Sequence, residues 1–440
     1  MLVLLRLLVS NPLEVWTRAH FEEPIVRDGL PFMSALVVSD PEAVRHVLLD
    51  NAANYRKDDL LLRILGPGLG QGLLTVEGQQ WRKQRHAVAP MFARRTIYGF
   101  AEAMKVAIAE FVSRWLALGD DATVDLAREA GNLTLDVLRR TIISEGFEEN
   151  NDAVLAAMRC YFDSIGRIDP MDALGLPEFI PRPRRGPERE ALQFFSSIVE
   201  AIISARRGVK DAATPRDLLA LLLDASSTDD LSDEEVRANI LTFIAAGHET
   251  TANAITWSLY LLSQDQNWRE RVADEAEHAH ATTDDPCAHL ESARAVVEEA
   301  LRLYPPIAAI SRVAIGEDEV GGERVDPGTM VIVSPYVLHR HRRLWNHPDM
   351  FDPSRFLGPD RERIGRFSYL PFGAGPRTCI GAAFALQEAT LAVSEFAKRF
   401  IWELAPGFDV QPLLRITLRP KNGLPMRVSR RRVAANLSAR

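Results

Sequence analysis

Apolar residues recur at three- and four-residue spacing over most of the chain, which is the pattern of helices that bury one face. Short apolar runs typical of strands are fewer: ALVVS at 35–39, RVAI at 312–315, TMVIVSPY at 329–336 and ITLRP at 416–420. The clearest helical stretches are 96–118, 187–207, 233–263, 267–280, 291–303 and 380–400. The pattern therefore predicts a mainly α fold with a small β-sheet region.

Two segments lack this periodicity: 56–80, rich in glycine and leucine, and 166–187, interrupted by prolines. Both are longer than simple connections, so they are either lids and binding loops or plain surface loops. No internal repeat or linker divides the chain, and we expect one domain over 1–440. The ends, 1–10 and 427–440, are expected to be frayed or loosely packed.

Composition narrows the class of protein. The 440 residues are 47% hydrophobic with a net charge of −8, which is typical of a globular protein without a general affinity for nucleic acid. Cys160, Cys287 and Cys379 are widely spaced and form no CxxC pair, so neither a disulfide framework nor a zinc site is indicated. A reducing, cytoplasmic compartment is expected.

The N-terminal run MLVLLRLLV is apolar, but it is far shorter than the roughly 20 residues that cross a bilayer. We therefore expect no spanning membrane anchor. The run either packs on the body of the protein or touches a membrane surface weakly.

The stretch 231–263 predicts a long helix that starts at a capping box formed by Ser232 and Glu235. Its apolar run is interrupted by AGHETT at 246–251. An interior glycine costs about 1 kcal/mol relative to alanine, and threonine hydroxyls compete for backbone carbonyls, so we expect a local weakening of the helix. The interruption is either a satisfied polar notch between helices or a site that uses the acid Glu249 and the alcohol Thr250.

Glu299 and Arg302 are three residues apart on a predicted helix and share a face. The same Glu-x-x-Arg spacing occurs at 42–45, 234–237 and 291–294, and such pairs on a surface contribute little. The later segment FDPSRF (351–356) supplies Arg355. A glutamate held between Arg302 and Arg355 would fasten this segment to the helix.

A third pattern is LPFGAGPRTCIG at 370–381, in which glycines and a proline precede Cys379 and a helix follows it. Backbone N–H groups and a helix N-terminus stabilise a thiolate, the form in which cysteine binds a metal. A lone buried cysteine is otherwise an inert packing residue.

FGAGPRTCIG (372–381), AGHETT (246–251), Glu299-Ala-Leu-Arg302 and PSRF (353–356), in this order, resemble the cytochrome P450 family of haem-thiolate monooxygenases. The resemblance implies the cytochrome P450 fold, with haem b buried between the long central helix and the helix after the cysteine. It makes Cys379 the axial thiolate of the iron. Glu249 and Thr250 would deliver protons to dioxygen.

The resemblance also assigns further residues. Trp81, Arg85, Arg312 and Arg377 match positions that contact the haem propionates, and Glu299, Arg302 and Arg355 match a structural ion-pair network. The remaining cofactor contacts it implies are Ala246, Phe372, Gly373 and Gly381. The implied substrate pocket comprises Leu73, Leu74, Phe243, Ile307, Ala309 and Ile310, with Ala246 at its edge.

The implied reaction inserts one oxygen atom from O2 into an apolar terpenoid, steroid, fatty acid or aromatic compound. We expect a separate ferredoxin or flavodoxin, with its NAD(P)H-dependent reductase, to supply electrons, because only about 60 residues follow Cys379. Arg82, Lys83, Arg342 and Arg343 either steer this partner or are ordinary solvated surface.

Two alternatives stay open. Some family members use peroxide or rearrange their substrates, and a haem-binding sensor or carrier would need Cys379 but no proton-delivery pair. The Glu249–Thr250 pair favours activation of oxygen.

Overall fold

Helices dominate the computed structural model, which describes residues 7, 10–30, 33–143, 151–165, 186–208, 217–227, 231–279 and 285–432. The mainly α prediction is confirmed. The α-helices are Arg18–Glu22, Pro41–Arg45, Asp59–Leu69, Gly78–Val88, Arg94–Gly99, Ala101–Leu118, Leu126–Leu138, Asn151–Ile165, Gly186–Gly208, Leu218–Ser227, Asp233–Gln264, Gln266–His278, Glu291–Leu303, Pro335–Leu338, Gly358–Arg363 and Ala382–Arg399.

The strands form small, separate sheets. They are β1 (Ile25–Leu30), β2 (Met33–Val38), β3 (Tyr55–Arg56), β4 (Ala122–Asp125), β5 (Ile310–Ala314), β6 (Asp318–Val320), β7 (Glu323–Val325), β8 (Met330–Val333), β9 (Phe400–Leu404), β10 (Pro412–Leu414), β11 (Leu418–Pro420) and β12 (Pro425–Arg430). The largest sheet has the order β1-β2-β8-β5-β3, in which β2 and β8 are parallel and the other neighbours antiparallel. A second sheet has the order β4-β12-β9, and β6-β7 and β10-β11 are two-stranded.

The helix Asp233–Gln264, called the central helix below, spans 32 residues and about 48 Å. Both bonds of the predicted capping box are present, from the Glu235 N–H to the Ser232 hydroxyl (3.2 Å) and from the Ser232 N–H to the Glu235 carboxylate (2.9 Å). It packs against Leu126–Leu138, Glu291–Leu303 and Ala382–Arg399. Because it touches elements from the whole chain, it is the axis of the main hydrophobic core.

The central helix is continuous through 246–251, so the expected weakening does not interrupt it. Gly247 lies where it crosses Leu126–Leu138: a Cβ there would lie 3.4 Å from the Leu138 side chain. The glycine therefore serves close helix packing, while the helix stays hydrogen-bonded.

The prediction that 56–80 is irregular is wrong. The helix Asp59–Leu69 starts at Asp58, whose carboxylate accepts the Leu61 N–H at 2.7 Å. Gly66, Pro67 and Gly68 occupy only its last turn, which ends at Gly70 with φ +58°. The breaker residues thus mark where the helix ends. Most of the other irregular segment, 166–185, lies outside the described residues.

Two boundaries also differ from expectation. The strand predicted at 329–336 stops at Val333, because Ser334 caps a helix that begins at Pro335. The expectation of a frayed C-terminus is wrong for residues 427–430, which pair with β4 and β9 as part of β12. Residues 433–440 lie outside the described part of the chain, as do residues 1–10 apart from Leu7 and Ser10.

Within the described residues, no helix combines the length and apolar character needed to cross a bilayer.

Candidate functional site

Cys379 lies in the loop between a short 3-10 turn (Gly375–Arg377) and the helix Ala382–Arg399, called the cysteine-loop helix below. Its N–H donates to the Phe372 carbonyl at 2.9 Å. Gly373 and Gly375 both have φ +70°, a conformation that favours glycine. A Cβ on Gly375 would also overlap the Leu48 carbonyl, so that position admits only glycine without movement.

Two neighbours of Cys379 favour its ionised form. Burial raises the pKa of the thiol overall, and the Gly381 N–H and the Arg85 guanidinium oppose that rise. The side chain is accessible although protein atoms surround the thiol almost completely, so it lines an internal surface and is not packed into the core. Cys287 differs, because burial and then Asp285 raise its pKa to about 12. Cys160 lies exposed on the helix Asn151–Ile165.

Cationic side chains gather near the cysteine loop. The Arg377 guanidinium lies 4.1 Å from the Trp81 ring centroid and donates to Glu77 at 2.5 Å and to the Val76 carbonyl at 3.1 Å. Burial, assisted by Arg312 and Arg85, lowers the pKa of Arg377. Burial also lowers the pKa values of Arg312 and Arg85.

Lys57, which the sequence did not single out, belongs to the same cluster. It is 6% exposed, and its Nζ donates to the carbonyls of Leu74 (2.6 Å) and Val76 (3.0 Å). Burial and the charges of Arg377 and Arg312 lower its pKa to about 7. In the sequence, Lys57 stands beside two aspartates at the start of a helical segment, as exposed lysines commonly do. No local pattern therefore marks it as a buried residue.

This cluster fits the two propionates of a haem. Three arginines (Arg85, Arg312 and Arg377) influence one another or share the acids Glu77 and Asp58, which leaves an excess of one positive charge, and Lys57, with its pKa of about 7, adds part of a second. A half-buried excess of positive charge is costly unless an anionic group neutralises it. Cys379, which lies close to Arg85, would supply the thiolate ligand of the iron, so the cations and the cysteine together suit a haem.

On the central helix, the Thr250 hydroxyl donates to the Ala246 carbonyl at 2.6 Å. Glu249 is partly buried, and burial raises its pKa to about 7 although Arg419 and Thr417 lower it. His248 faces away toward the Gly131 carbonyl (3.1 Å), and burial lowers its pKa to about 4. An acid that titrates near neutral pH and an adjacent alcohol are therefore available at this turn.

Glu299 and Arg302 are both fully buried and form two parallel bonds of 2.6 and 2.7 Å. Arg355 lies 3.6 Å from the same carboxylate, which also accepts the Asp352 N–H at 2.8 Å. Arg302 donates further to three backbone carbonyls, those of His339, Pro348 and Met350. The group thus fastens 339–355 to the helix Glu291–Leu303.

The other Glu-x-x-Arg spacings behave differently. Glu42 and Arg45 are exposed and 3.8 Å apart, whereas Arg237 pairs with Glu200 and Arg294 with Glu298. Of the four pairs, only Glu299 and Arg302 are buried. Because all four pairs have the same spacing, the spacing alone cannot predict which of them is buried.

The described chain contains an apolar cavity, whose lining differs from the expected pocket. The helices Asn151–Ile165 and Gly186–Gly208 contribute much of it, and neither was assigned a role from the sequence. Its lining is Gly68, Leu69, Val154, Met158, Tyr161, Phe162, Leu192, Phe195, Ile198, Val199, Leu241, Ile244 and Ala245.

None of the expected pocket residues is part of this cavity's lining. Leu73 and Phe243 are buried in the main core, with the Phe243 ring 5.3 Å from that of Phe92. Leu74 and Ile307 are 38% and 39% exposed. Ile310 lies beside Gly373 and Ala309 is exposed.

The expected basic patch is largely neutralised. Lys83 pairs with Glu235, Arg342 with Asp349 and Arg343 with Glu23. Within the described residues, Arg82 is exposed and has no ion pair.

Several known proteins resemble this chain. The family model for cytochrome P450 matches residues 4–425. Cyclooctatin synthase of Streptomyces melanosporofaciens is 32% identical, over 86% of this chain and 83% of its own. Cyclooctat-9-en-7-ol 5-monooxygenase of the same organism is 33% identical, over 84% of this chain and 80% of its own.

A solved structure shares the fold. The crystal structure of a cytochrome P450 (CYP102L1) superimposes with a TM-score of 0.83 at 24% identity, covering 96% of this chain and 95% of the other. The expected fold and family are confirmed. With the family profile spanning nearly all of the sequence, the chain belongs to the cytochrome P450 family of haem-thiolate monooxygenases.

Proposed function

We propose that this monooxygenase inserts one oxygen atom from O2 into an apolar small molecule, with Cys379 as the axial ligand of haem b. The observation that carries the proposal is the accessible Cys379 thiol, flanked by Arg85 and the Gly381 N–H, next to a cluster of cations that outnumber their acids. Bound haem would supply a redox-active iron whose thiolate ligand favours O–O cleavage.

The chain's own groups then manage protons and geometry. Trp81, Arg85, Arg312 and Arg377, with Lys57, would hold the propionates, while Phe372, Gly373, Gly381 and Ala246 shape the cofactor's surroundings. Glu249 is suited to proton transfer because its pKa of about 7 lets it gain and lose a proton near neutral pH. Thr250, one residue on, would hold the proton or a water at the reacting oxygen.

The substrate is proposed to be a terpenoid, steroid, fatty acid or aromatic compound of mainly apolar surface. The cavity between the two helices has a volume of only about 20 Å³ in this structure, but its lining is almost wholly aliphatic and aromatic, which favours apolar molecules. One relative is named a monooxygenase of cyclooctat-9-en-7-ol, so we place terpenoid-like cyclic compounds first in the search.

Electrons are proposed to come from a separate ferredoxin or flavodoxin and its NAD(P)H-dependent reductase, in the cytoplasm. Arg82 is the strongest candidate for contact with an acidic partner, because the other expected cations already have partners.

Isotopically labelled dioxygen tests the proposal. A terpenoid-weighted compound library is first screened by the haem absorption shift that accompanies displacement of water. The compound with the largest shift is then incubated with the holoenzyme, a surrogate ferredoxin, its reductase, NADPH and labelled O2. We expect one labelled oxygen per product molecule. An unlabelled product, or product formed only with added peroxide, would contradict the proposal.

A further inference from the structure

Residues 70–77, called the connecting segment below, join the central helix to the cations of the candidate site. The segment lies between the helices Asp59–Leu69 and Gly78–Val88. Its first part contacts the central helix, and its last part binds Lys57 and Arg377. Most of these contacts are made by main-chain groups, so they depend on where the backbone of the segment lies.

The main chain of the connecting segment packs directly on the central helix. A Cβ on Gly72 would lie 2.7 Å from the Ala238 carbonyl oxygen, so a side chain there would overlap the helix backbone. At the next residue, the Leu73 N–H donates to the side-chain oxygen of Asn239 at 3.0 Å. Asn239 is fully buried. This hydrogen bond fixes the position of the segment along the helix.

Asn239 also binds the helix Gly78–Val88. Its amide nitrogen donates to the side-chain oxygen of Gln84 at 3.1 Å and to the Glu235 carbonyl at 2.8 Å. Gln84 is fully buried too, and it donates to the carbonyl of Gln71 in the connecting segment at 2.9 Å. Removal of the Asn239 amide would therefore leave buried partners on both elements unmatched, which is destabilising.

The last part of the connecting segment holds two cations together. The Lys57 Nζ donates to the carbonyls of Leu74 (2.6 Å) and Val76 (3.0 Å). Arg377 donates to the same Val76 carbonyl at 3.1 Å. Two like charges repel each other, and an acceptor shared by both offsets that repulsion. The Val76 carbonyl thus determines how closely Lys57 and Arg377 approach.

The backbone between Leu73 and Val76 is a compact turn. The N–H groups of Thr75 and Val76 donate to the Gly72 carbonyl at 2.9 and 3.0 Å. The Thr75 hydroxyl donates to the Gly70 carbonyl at 2.5 Å. Because the turn is bonded internally, a displacement at Leu73 is passed on to the Val76 carbonyl.

We propose that Asn239 is a positioning residue for haem binding: through the connecting segment, it keeps Lys57 and Arg377 together for the haem propionates. Asn239 itself touches neither cation and acts through the Leu73 N–H and the turn that follows. Because this inference assumes a haem held by these cations, it rests on the proposed function.

Haem retention in the ferric holoenzyme tests the role of Asn239. Asn239→Leu removes all three hydrogen bonds of the amide at a similar side-chain volume. We expect haem transfer to excess apomyoglobin to become about 5- to 10-fold faster, because the propionates lose part of their binding. The propionate bending bands in the resonance Raman spectrum should shift as well. A merely structural role would lower the melting temperature without shifting these bands.

Asn253→Leu is the matched control on the same helix. Asn253 is 5% exposed and donates to the Thr417 hydroxyl at 3.1 Å, with no contact to the connecting segment among the described residues. It should lower the melting temperature and leave haem transfer and the propionate bands as in the native protein. Equal changes in the two variants, or native behaviour of Asn239→Leu, would overturn the proposal.

A double variant shows whether Asn239 acts through the cations. Lys57→Met removes one of the two cations that the connecting segment holds. In this background, Asn239→Leu should accelerate haem transfer by a clearly smaller factor than in the native background. The same factor in both backgrounds would show that Asn239 acts independently of Lys57 and would overturn the proposal. Should Asn239→Leu fail to fold, Asn239→Ser takes its place in the same comparison.

The carbon monoxide difference spectrum of the native holoenzyme separates this inference from the proposed function. If the band of thiolate-ligated haem is absent, the proposed function fails, and the role of Asn239 fails with it. If the band is present while Asn239→Leu retains haem and its propionate bands like the native protein, only the role of Asn239 is rejected.

Discussion

At Cys379 a cation and a backbone amide both favour the ionised form, whereas at Cys287 the neighbouring Asp285 opposes it. We expect Cys379→Ser to lose the strongly red-shifted ferrous carbon monoxide band of thiolate-ligated haem, because a hydroxyl does not replace the thiolate donor. Carbon monoxide difference spectra of purified variants measure this. Cys160→Ser and Cys287→Ser should keep the band, and its loss in either of these with retention in Cys379→Ser would reassign the ligand.

Thr250 uses its hydroxyl to bond the Ala246 carbonyl within the helix. Thr250→Ala improves helix propensity and removes one polar group, so folding and haem content should be retained. Proton delivery should suffer, with NAD(P)H consumption continuing and peroxide replacing most of the hydroxylated product. Parallel assays of NAD(P)H, peroxide and product measure the ratio. If product per NAD(P)H stays at the native value, the hydroxyl is dispensable.

Glu388 on the cysteine-loop helix is buried, and neither carboxyl oxygen has a partner among the described residues. Burial alone raises its pKa well above 4.5, so the folded protein keeps Glu388 protonated while the unfolded chain releases the proton. The free energy of unfolding therefore falls as pH rises above about 4.5, by up to about 1.4 kcal/mol per pH unit until the folded pKa is reached.

Glu388→Gln removes this dependence. The variant should melt close to the native protein at about pH 5 and at a higher temperature than it at about pH 8, as measured by thermal unfolding. Glu395→Gln is the control on the same helix, because Glu395 is partly exposed and pairs with Arg399, and its melting curve should track the native one. A constant difference between Glu388→Gln and native protein at both pH values would refute the assignment.

At the scale of elements, the buried group at Glu299 joins a helix to a long irregular segment. We expect Glu299→Ala to lose about 3–5 kcal/mol of unfolding free energy and most of its haem, because Arg302 and Arg355 are left without their acid. Glu291→Ala, at the exposed start of the same helix, should be nearly silent. Equal haem content and melting temperature for the two variants would count against the interpretation.

Sequence periodicity predicted elements well where the local pattern and the tertiary environment agree. The helix Glu291–Leu303 matches its prediction residue for residue, because its apolar face is buried and two prolines follow it. Periodicity does not predict the helix Asp59–Leu69, because its leucines share the segment with glycines and a proline, which are typical of loops. The split at Phe100 between Arg94–Gly99 and Ala101–Leu118 was also missed, since one apolar stripe continues across it.

At the scale of the whole molecule, the site depends on contacts between distant parts of the chain. The family motifs place Cys379, Glu249 and Glu299, because each motif is local. The pairing of Arg377 with Glu77 and of Arg419 with Asp163 joins residues 300 and 256 positions apart, and no periodicity encodes such partners. For the same reason, the sequence did not single out Lys57 or the helix Asn151–Ile165.

The surface charges lead to a whole-molecule prediction about electron transfer. Arg82→Glu should slow reduction by an acidic ferredoxin several-fold at low salt, with the difference shrinking as ionic strength rises. Stopped-flow reduction at two salt concentrations measures this. Arg342→Glu is the matched control, because Asp349 already neutralises Arg342 at 2.6 Å, and it should have the smaller effect. The reverse order of the two effects would place the docking surface elsewhere.

The close approach of Gly375 to the Leu48 carbonyl has a consequence for enzyme redesign. The loop that presents the thiol rests on the main chain of the turn His46–Asp50, which is remote in sequence from the cysteine. Substitutions that shift this turn would therefore displace the loop that carries Cys379 without changing any residue of that loop. Val47 and Leu48 are buried in the core, so the partly exposed positions of the turn, Leu49 and Asp50, are the places where a redesign library can vary this support while Gly375 and the loop sequence stay fixed.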